Sequence, residues 1–309
     1  MKALVTGGAG FIGTTLIRHL CDDGHEVTVI DDLSSSGRSK IDPRAKLVVG
    51  SINDSKLLEQ LLDKKDVVFH LAALGIIKIS LERPEAAFEN NLINGVRLLE
   101  AMRKKGVNKI IYSSSSSVYG EPKRNPVQEE DQKEPINPYG ASKYTFESAL
   151  SSYYHSFGIN SVALRYFNVY GPGDEQKPVT RAVPSWIQWA LTGDTIWVYW
   201  GGKQIKDYIY VDDVARANIV AALDEKRGFR TYNVGSGVGR KMMDIALLIK
   251  KIIRQDLKIV DNGERPGDPS VLVADISKIK KELGWEPRVD LETGLKRTIE
   301  YYASPSSSR

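Results

Sequence analysis

The first 171 residues alternate short apolar runs with longer stretches of helical period, and this constrains the fold more than any other feature. Strands are predicted over 2–6, 26–30, 46–49, 66–71, 108–113 and 161–165. Helices are predicted between them over 13–22, 54–62, 84–105 and 139–157. The third is long and carries Leu92, Val96, Leu99 and Met102. Strand and helix in regular alternation form right-handed βαβ units, and hence a parallel sheet covered on both faces. The fold class is therefore α/β, a doubly wound parallel sheet.

The pattern changes at Gly171-Pro172-Gly173. Beyond it come a helix over 183–191, an aromatic strand-like run over 195–200, a helix over 212–223 and a short strand over 232–234. This half is smaller and mixed α/β. The expected division is a nucleotide-binding domain over 1–171 and a mainly substrate-binding lobe over 172–303. The two interleave, since residues near 206–235 return to the large sheet. The tail 304–309, Ser-Pro-Ser-Ser-Ser-Arg, reads as disordered.

Composition removes several function classes. With 41% hydrophobic and 27% charged residues in 309, the chain reads as an ordinary soluble protein that needs no covalent staples. The balance of 43 basic and 39 acidic side chains leaves +4, too small and dispersed for nucleic acid. A single cysteine, Cys21, excludes an internal disulfide. Four scattered histidines, His19, His25, His70 and His155, have no metal-ligand spacing. No apolar run reaches membrane-spanning length, and the chain opens on a strand with no signal peptide. A cytoplasmic location is expected.

Between the first strand and first helix lies Thr6-Gly7-Gly8-Ala9-Gly10-Phe11-Ile12-Gly13. Glycines allow a tight turn and let backbone amides approach a pyrophosphate at the helix N-terminus. The second strand leads to Asp31, 24 residues after Gly7. A carboxylate there can accept both ribose hydroxyls of NAD and would repel the 2′-phosphate of NADP. Arg38 is the counter-signal, although loop arginines are usually just solvated. The expectation is a Rossmann-type NAD-binding sheet.

Two further segments point to chemistry. A serine run, 113–117, follows a predicted strand and leads into Val118-Tyr119-Gly120. Pro138-Tyr139-Gly140-Ala141-Ser142-Lys143 opens a helix and sets Tyr139 and Lys143 four apart, on one face. A phenol is a poor base at its ordinary pKa of about 10. A neighbouring ammonium and a cationic nicotinamide move it toward working pH. A serine hydroxyl at the strand end can bond the same substrate oxygen.

On these residues the chain resembles the extended short-chain dehydrogenase/reductase family, and within it the nucleotide-sugar epimerases of the UDP-glucose 4-epimerase type. The resemblance runs over about residues 1–302. Its anchors are the Gly7/Gly10/Gly13 loop, Asp31, His70-Leu71-Ala72-Ala73, Asn91, the serine run, Tyr139/Lys143 and the segment 165–172, Arg-Tyr-Phe-Asn-Val-Tyr-Gly-Pro. The second half adds Lys206-Asp207-Tyr208 with Val211-Asp212-Asp213-Val214, Asn233-Val234-Gly235, Arg265-Pro266-Gly267-Asp268 and Leu283-Gly284-Trp285.

The resemblance implies roles. Tyr139 would be the acid/base at the sugar hydroxyl, with Ser115 beside the reacting oxygen. Lys143 would tune the phenol and hold the nicotinamide ribose. The cofactor site would comprise Gly7, Gly10, Phe11, Ile12, Gly13, Asp31, Ser51, Ile52, Leu71, Ala72, Ala73, Asn91, Ser113, Tyr139, Lys143 and Tyr166. On the substrate side, Asn168, Lys206 and Arg265 would meet the diphosphate, Asp268 the nucleotide ribose, and Tyr199 with Trp197 the flat base. Ala182 and Val183 complete that set. The aromatic run also reads as an apolar core strand, Trp200 above all.

There are departures. Ser51 stands where an Asp often binds adenine, and Asn94 where a helix Gly is usual and a packing gap is filled. Lys206 replaces an Arg and cannot make its bidentate fork, so the diphosphate leans on Arg265 and Arg181. Trp200-Gly201-Gly202 replaces the usual Gly-Asp-Gly.

The reaction implied is C4 epimerisation of a UDP-sugar of the UDP-glucose/UDP-galactose type, by transient hydride transfer through a 4-keto intermediate. UDP-N-acetylglucosamine or UDP-glucuronate 4-epimerisation is the alternative. Next come a nucleotide-sugar 4,6-dehydratase and a UDP-glucuronate decarboxylase, whose acidic residues after the catalytic Ser/Thr are here Ser116 and Ser117. The loop 75–80 is expected to line the sugar pocket, where Lys78 could meet a uronate. The non-enzyme reading is an NAD-binding regulator, against which the intact Tyr139/Lys143/Ser115 set argues. A homodimer through a four-helix contact of helices 84–105 and 139–157 is expected, with no metal, nucleic acid or membrane partner.

Overall fold

The computed structural model describes residues 1–34, 41–174, 181–264 and 269–304. A seven-stranded sheet organises the chain. Its strands are β1 (Lys2–Thr6), β2 (Glu26–Asp31), β3 (Lys46–Val49), β4 (Val67–His70), β5 (Lys109–Ser115), β6 (Asn160–Tyr166) and, arriving late, β10 (Phe229–Val234). The order is β10-β6-β5-β4-β1-β2-β3, and each neighbouring pair is parallel. The predicted doubly wound α/β sheet is thus observed.

The helices fall on its two faces because adjacent strand residues point opposite ways. On one face Val5, Val29, Phe69 and Leu164 pack with α1 (Phe11–Asp22) and α8 (Val211–Leu223). On the other, Leu4, Ile30, Val68 and Ile110 pack with α2 (Ser55–Leu61), α5 (Asn94–Lys105) and α6 (Pro138–Phe157). Each strand buried on both sides reads as a continuous apolar run, which is how a parallel sheet is written in sequence.

The second half builds a separate small core around α7 (Ala182–Thr192), α9 (Met242–Ile253) and α11 (Leu291–Ala303), with Trp186, Ile187, Ile245, Ile249 and Leu295 inside. A small sheet joins β7 (Asn168–Tyr170), β9 (Ile205–Tyr210), β11 (Gly239–Lys241) and β13 (Val271–Leu272), while β8 (Thr195–Val198) pairs with β12 (Lys258–Asp261). The short α10 (Ser277–Leu283) packs Ile279 against the large-sheet core.

Three expectations need correction. The long helix over 84–105 is broken into α4 (Pro84–Phe88), a π-helical turn (Glu89–Ile93) and α5. The extra residue in that turn carries Asn91 inward, where it is 1% exposed. The loop 75–80 is in part a helix, α3 (Ile77–Glu82). The strand over 195–200 stops at Val198, because Trp200 and Gly201 take left-handed φ values of 55° and 58° that no strand accommodates. Of the tail 304–309, only Ser304 lies within the described residues.

Candidate active site

A cavity of about 1020 Å3 runs along the C-terminal ends of the sheet strands, where strand order reverses between β1 and β4. The residues that end or follow five strands reach its wall: Gly7 after β1, Asp31 on β2, Leu71 after β4, Ser115 on β5 and Tyr166 on β6. The α7 and β9 region forms the other side, with Ala182, Val183, Trp186 and Lys206.

The glycine loop is shaped by close packing. Gly7 has φ +70°, and a Cβ there would sit 2.5 Å from the Ala72 amide nitrogen. A Cβ on Gly13 would sit 2.5 Å from the Gly7 carbonyl oxygen. Gly10 caps α1 with backbone alone, so no side chain takes the first-turn amides. Phe11, Ile12 and Gly13, which carry them, line the cavity. That is a cradle for an anionic phosphate group.

At the end of β2, the buried Asp31 carboxylate accepts from the Ala9 amide at 2.9 Å and from the Leu33 amide at 2.8 Å, one per oxygen. Each oxygen keeps a further lone pair for a hydroxyl donor. Burial raises its pKa, and the two amides oppose the rise. Ser51 and Ile52 lie on the same wall, and the Ser51 hydroxyl accepts from Asn53 N at 3.3 Å. Loop, carboxylate and crevice together fit a dinucleotide.

Deeper in the cavity stand the catalytic candidates. Asn137 caps α6 by accepting from Gly140 N at 2.8 Å, with Pro138 at the first helical position. This fixes Tyr139 in the first turn and Lys143 one turn on. The Ser115 hydroxyl oxygen accepts from Ser117 N at 3.1 Å, which leaves its proton free to donate. The Lys143 ammonium donates to the Ser113 carbonyl at 2.8 Å and lies 4.9 Å from the Tyr112 ring centroid and 5.8 Å from that of Tyr139.

The electrostatics differ from expectation. Burial raises the Tyr139 phenol, opposed by Ser115 beside it and by the Arg181 charge. Burial pushes Lys143 itself down to about 7, opposed by Glu147.

Of the other expected residues, Ala72, Ala73, Ser113, Tyr166, Asn168, Trp197 and Tyr199 line the cavity. Tyr166 donates to Asn218 at 2.9 Å, Asn168 to the Asp207 carbonyl at 3.0 Å and Lys206 to the Pro269 carbonyl at 2.6 Å. Trp197 is 39% exposed, and Asn262 donates to the Tyr199 hydroxyl at 3.1 Å. Asn91 does not reach the wall. Its amide joins the Leu74 backbone to Ser142, with bonds of 2.8 Å from Leu74 N, 3.2 Å to Leu74 O and 2.9 Å to Ser142. It supports the site from behind. Asn94 is buried too, but it bonds Arg97 rather than only filling space. Lys78 lines the cavity and is 4.0 Å from Glu82. Arg38, Arg265 and Asp268 lie outside the described residues.

The sequence reading omitted Gln204 and Tyr208, which flank Lys206 at a spacing of two and line the same wall. Strand alternation was the signal for both. Arg181, expected to share the diphosphate, lines the cavity, pairs with Asp174 and lies 5.7 Å from the Phe11 ring centroid. Among the described residues, no His/Cys/Asp/Glu cluster could hold a metal and no helix is long and apolar enough to cross a membrane.

Known proteins share this architecture. The chain is 35% identical to the UDP-glucose 4-epimerase of Corynebacterium glutamicum, over 95% of this chain and 93% of that protein. It superposes on the crystal structure of a UDP-glucose 4-epimerase with UDP-glucose from Thermotoga maritima with a TM-score of 0.93, at 38% identity and 98% coverage of both chains. A UDP-N-acetylglucosamine 4-epimerase from Methanobrevibacter ruminantium, in complex with UDP-N-acetylmuramic acid, gives 0.92 at 35% identity and 97% coverage of both. A family model matches residues 3–235, well over half the sequence, and on that ground the chain belongs to the NAD dependent epimerase/dehydratase family.

Proposed function

We propose that the protein inverts C4 of a UDP-sugar, of the UDP-glucose/UDP-galactose type. The observation that carries this is the set Ser115, Tyr139 and Lys143 on one wall, with no carboxylate from the residues next to them reaching the described lining. The acidic residues among the described lining are Asp31, Asp32 and Glu264. The positions that carry acids in dehydratases and decarboxylases are Ser116 and Ser117, and both line the cavity. Without a carboxylate to take a C5 proton or assist elimination, oxidation and return at C4 is the chemistry left.

NAD, when bound, supplies a reversible hydride acceptor at that carbon. Asp31 accepts its ribose hydroxyls, and the α1 amides meet its pyrophosphate. Tyr139 takes the C4 hydroxyl proton and returns it to the same oxygen once the turned sugar has presented the other face of C4 for reduction. Ser115 donates to the same oxygen and holds it as its charge changes. Lys143 keeps its ammonium beneath the phenol ring. Asn168, Lys206 and Arg181 bind the diphosphate, about which the sugar turns, while Trp197 and Tyr199 hold the base. On this reading residues 1–171 are mainly the cofactor domain and 172–303 mainly the substrate lobe.

The N-acetylhexosamine reading is kept because one structural relative is a UDP-N-acetylglucosamine 4-epimerase. The test is to incubate the purified protein with UDP-glucose, UDP-N-acetylglucosamine and UDP-glucuronate, and to resolve the products. A 4-epimer of one supports the proposal and names the sugar; a 4-keto-6-deoxy sugar or released CO2 overturns it.

We also propose a homodimer through the 84–105 segment and α6. Phe88, Ile93 and Phe157 on these helices are more than a third exposed, which favours a partner surface. Sedimentation showing only monomer at micromolar concentration would refute it.

A further inference from the structure

Beneath Lys143 lies a buried ionic cluster that takes no part in binding either ligand. Glu147 is one helical turn past Lys143 on α6 and is 2% exposed. Its carboxylate accepts from the Ser114 hydroxyl at 2.5 Å and from Arg165 at 3.0 and 2.7 Å. Arg165, also 2% exposed, donates in addition to the Tyr119 hydroxyl and the Glu129 carbonyl, both at 2.8 Å. None of Glu147, Arg165 and Tyr119 lines the cavity. A buried ion pair is weak evidence for stability, since hydrophobic replacements are often as good. Its position suggests another use.

Two successive β5 residues are held by two successive turns of α6: Ser113 O by Lys143, and Ser114 Oγ by Glu147. Ser115 is the next residue of β5, and Tyr139 is the preceding turn of α6. The register of α6 against β5 therefore sets how the phenol meets the serine hydroxyl. We propose that Glu147 is a positioning residue, which locks that register and supplies the buried negative charge that keeps Lys143 an ammonium.

The surroundings of Lys143 leave few other sources for that charge. On β5 it meets the Tyr112 ring and the Ser113 carbonyl. On β4 stands His70, neutral and buried. On α6 are Tyr139 and Glu147, and on β6 Tyr166 and the Arg165 that grips Glu147. Arg181, from the start of α7, acts on Tyr139. Among the described residues, Glu147, one turn away on α6, is the carboxylate that offsets the burial of Lys143. An ammonium without it would favour the neutral amine.

The proposal rests on the family reading of Tyr139 and Lys143, so its test must not depend on turnover. The chain is labelled with 13C at lysine Cε, and Lys143 is assigned by its loss in Lys143→Arg. Its titration is followed with NAD bound in the parent protein, Glu147→Gln and Glu147→Asp. Glu147→Gln should lower the midpoint by about one pH unit or more, a tenfold loss of proton affinity, and Glu147→Asp should retain most of it. The double variant Glu147→Gln/Arg165→Gln leaves neither charge alone and should also titrate below the parent, which serves if the single variant does not fold. Midpoints equal to the parent's overturn the proposal.

The pH dependence of kcat/KM gives a second reading. Activity that needs the ammonium is lost as pH rises through its midpoint, so in Glu147→Gln the alkaline limb should move to lower pH. A purely structural residue would lower kcat at every pH and leave the limb in place, which would overturn the electrostatic role. A parent protein inactive on every UDP-sugar would sink the epimerase reading while the NMR titration still decides this one.

Discussion

At the residue scale, the proton role proposed for Tyr139 makes the first prediction. Tyr139→Phe removes the hydroxyl but keeps the ring over Lys143. Turnover should fall by about a hundred- to ten-thousand-fold, the usual worth of a positioned acid/base. NAD should stay bound, as read by its absorbance after gel filtration. Persistence of turnover would exclude Tyr139 as the acid/base, and a regulator's output would survive the change. His70 makes a prediction about stability. Its Nδ1 lies 2.8 Å from the Thr6 hydroxyl, and burial pushes its pKa down to about 3, against 6.5 when free. The unfolded chain then binds the proton more readily, so the stabilisation is complete above about pH 6.5 and is lost progressively as pH falls toward 3. The loss should be about 2 kcal/mol by pH 5. Urea midpoints at pH 7.5 and 5 should converge in His70→Asn; an unchanged acid sensitivity would clear His70.

At the element scale, the legibility of the sequence depended on period. Parallel strands buried on both faces are continuous apolar runs, so β1 and β3 were read to the residue and β2, β4, β5 and β6 to within two residues at each end. The caps of α6 have local causes as well: Asn137 before Pro138 opens the helix, and Gly158, at φ 72°, closes it. What resisted was structure defined by distant partners. The strands β7, β11 and β13 are two or three residues long and exist only because β9 pairs with them. The π-helical turn leaves no mark in apolar spacing, since one inserted residue only rotates the stripe. Yet that turn brings Asn91 under the site, and removing its amide should show there. Asn91→Leu strands the Leu74 amide and carbonyl, at a cost of about 1–3 kcal/mol. The loop 71–75 would loosen with it, so the KM for NAD should rise together with the fall in urea midpoint. A stability loss with an unaltered KM would confine Asn91 to packing.

At the scale of the whole molecule, the proposed reaction needs the cofactor wall and the diphosphate wall held at one separation. Asp207 sits where they meet. It lies on β9 at 0% exposure, and its carboxylate accepts from Ser236 N at 2.7 Å, Ser236 Oγ at 2.6 Å, Gly237 N at 2.9 Å and Ala274 N at 3.1 Å. Ser236 and Gly237 continue β10 out of the large sheet, while Ala274 follows β13 of the small one. A single side chain thus ties both sheets, and its backbone carbonyl holds Asn168. The resemblance motif 206–208 named this residue without its reason, because only the fold brings the four donors together. Asp207→Asn is nearly isosteric but turns an NH2 toward donors whichever way the amide flips. That leaves at least one buried pair of donors facing each other, at a cost of about 1–3 kcal/mol. Since Lys206 precedes Asp207 on β9 and Asn168 bonds the Asp207 carbonyl, the KM for the UDP-sugar should rise by about tenfold or more while NAD affinity changes little. Equal losses for both ligands would mean that Asp207 supports the entire molecule rather than the joint between its walls.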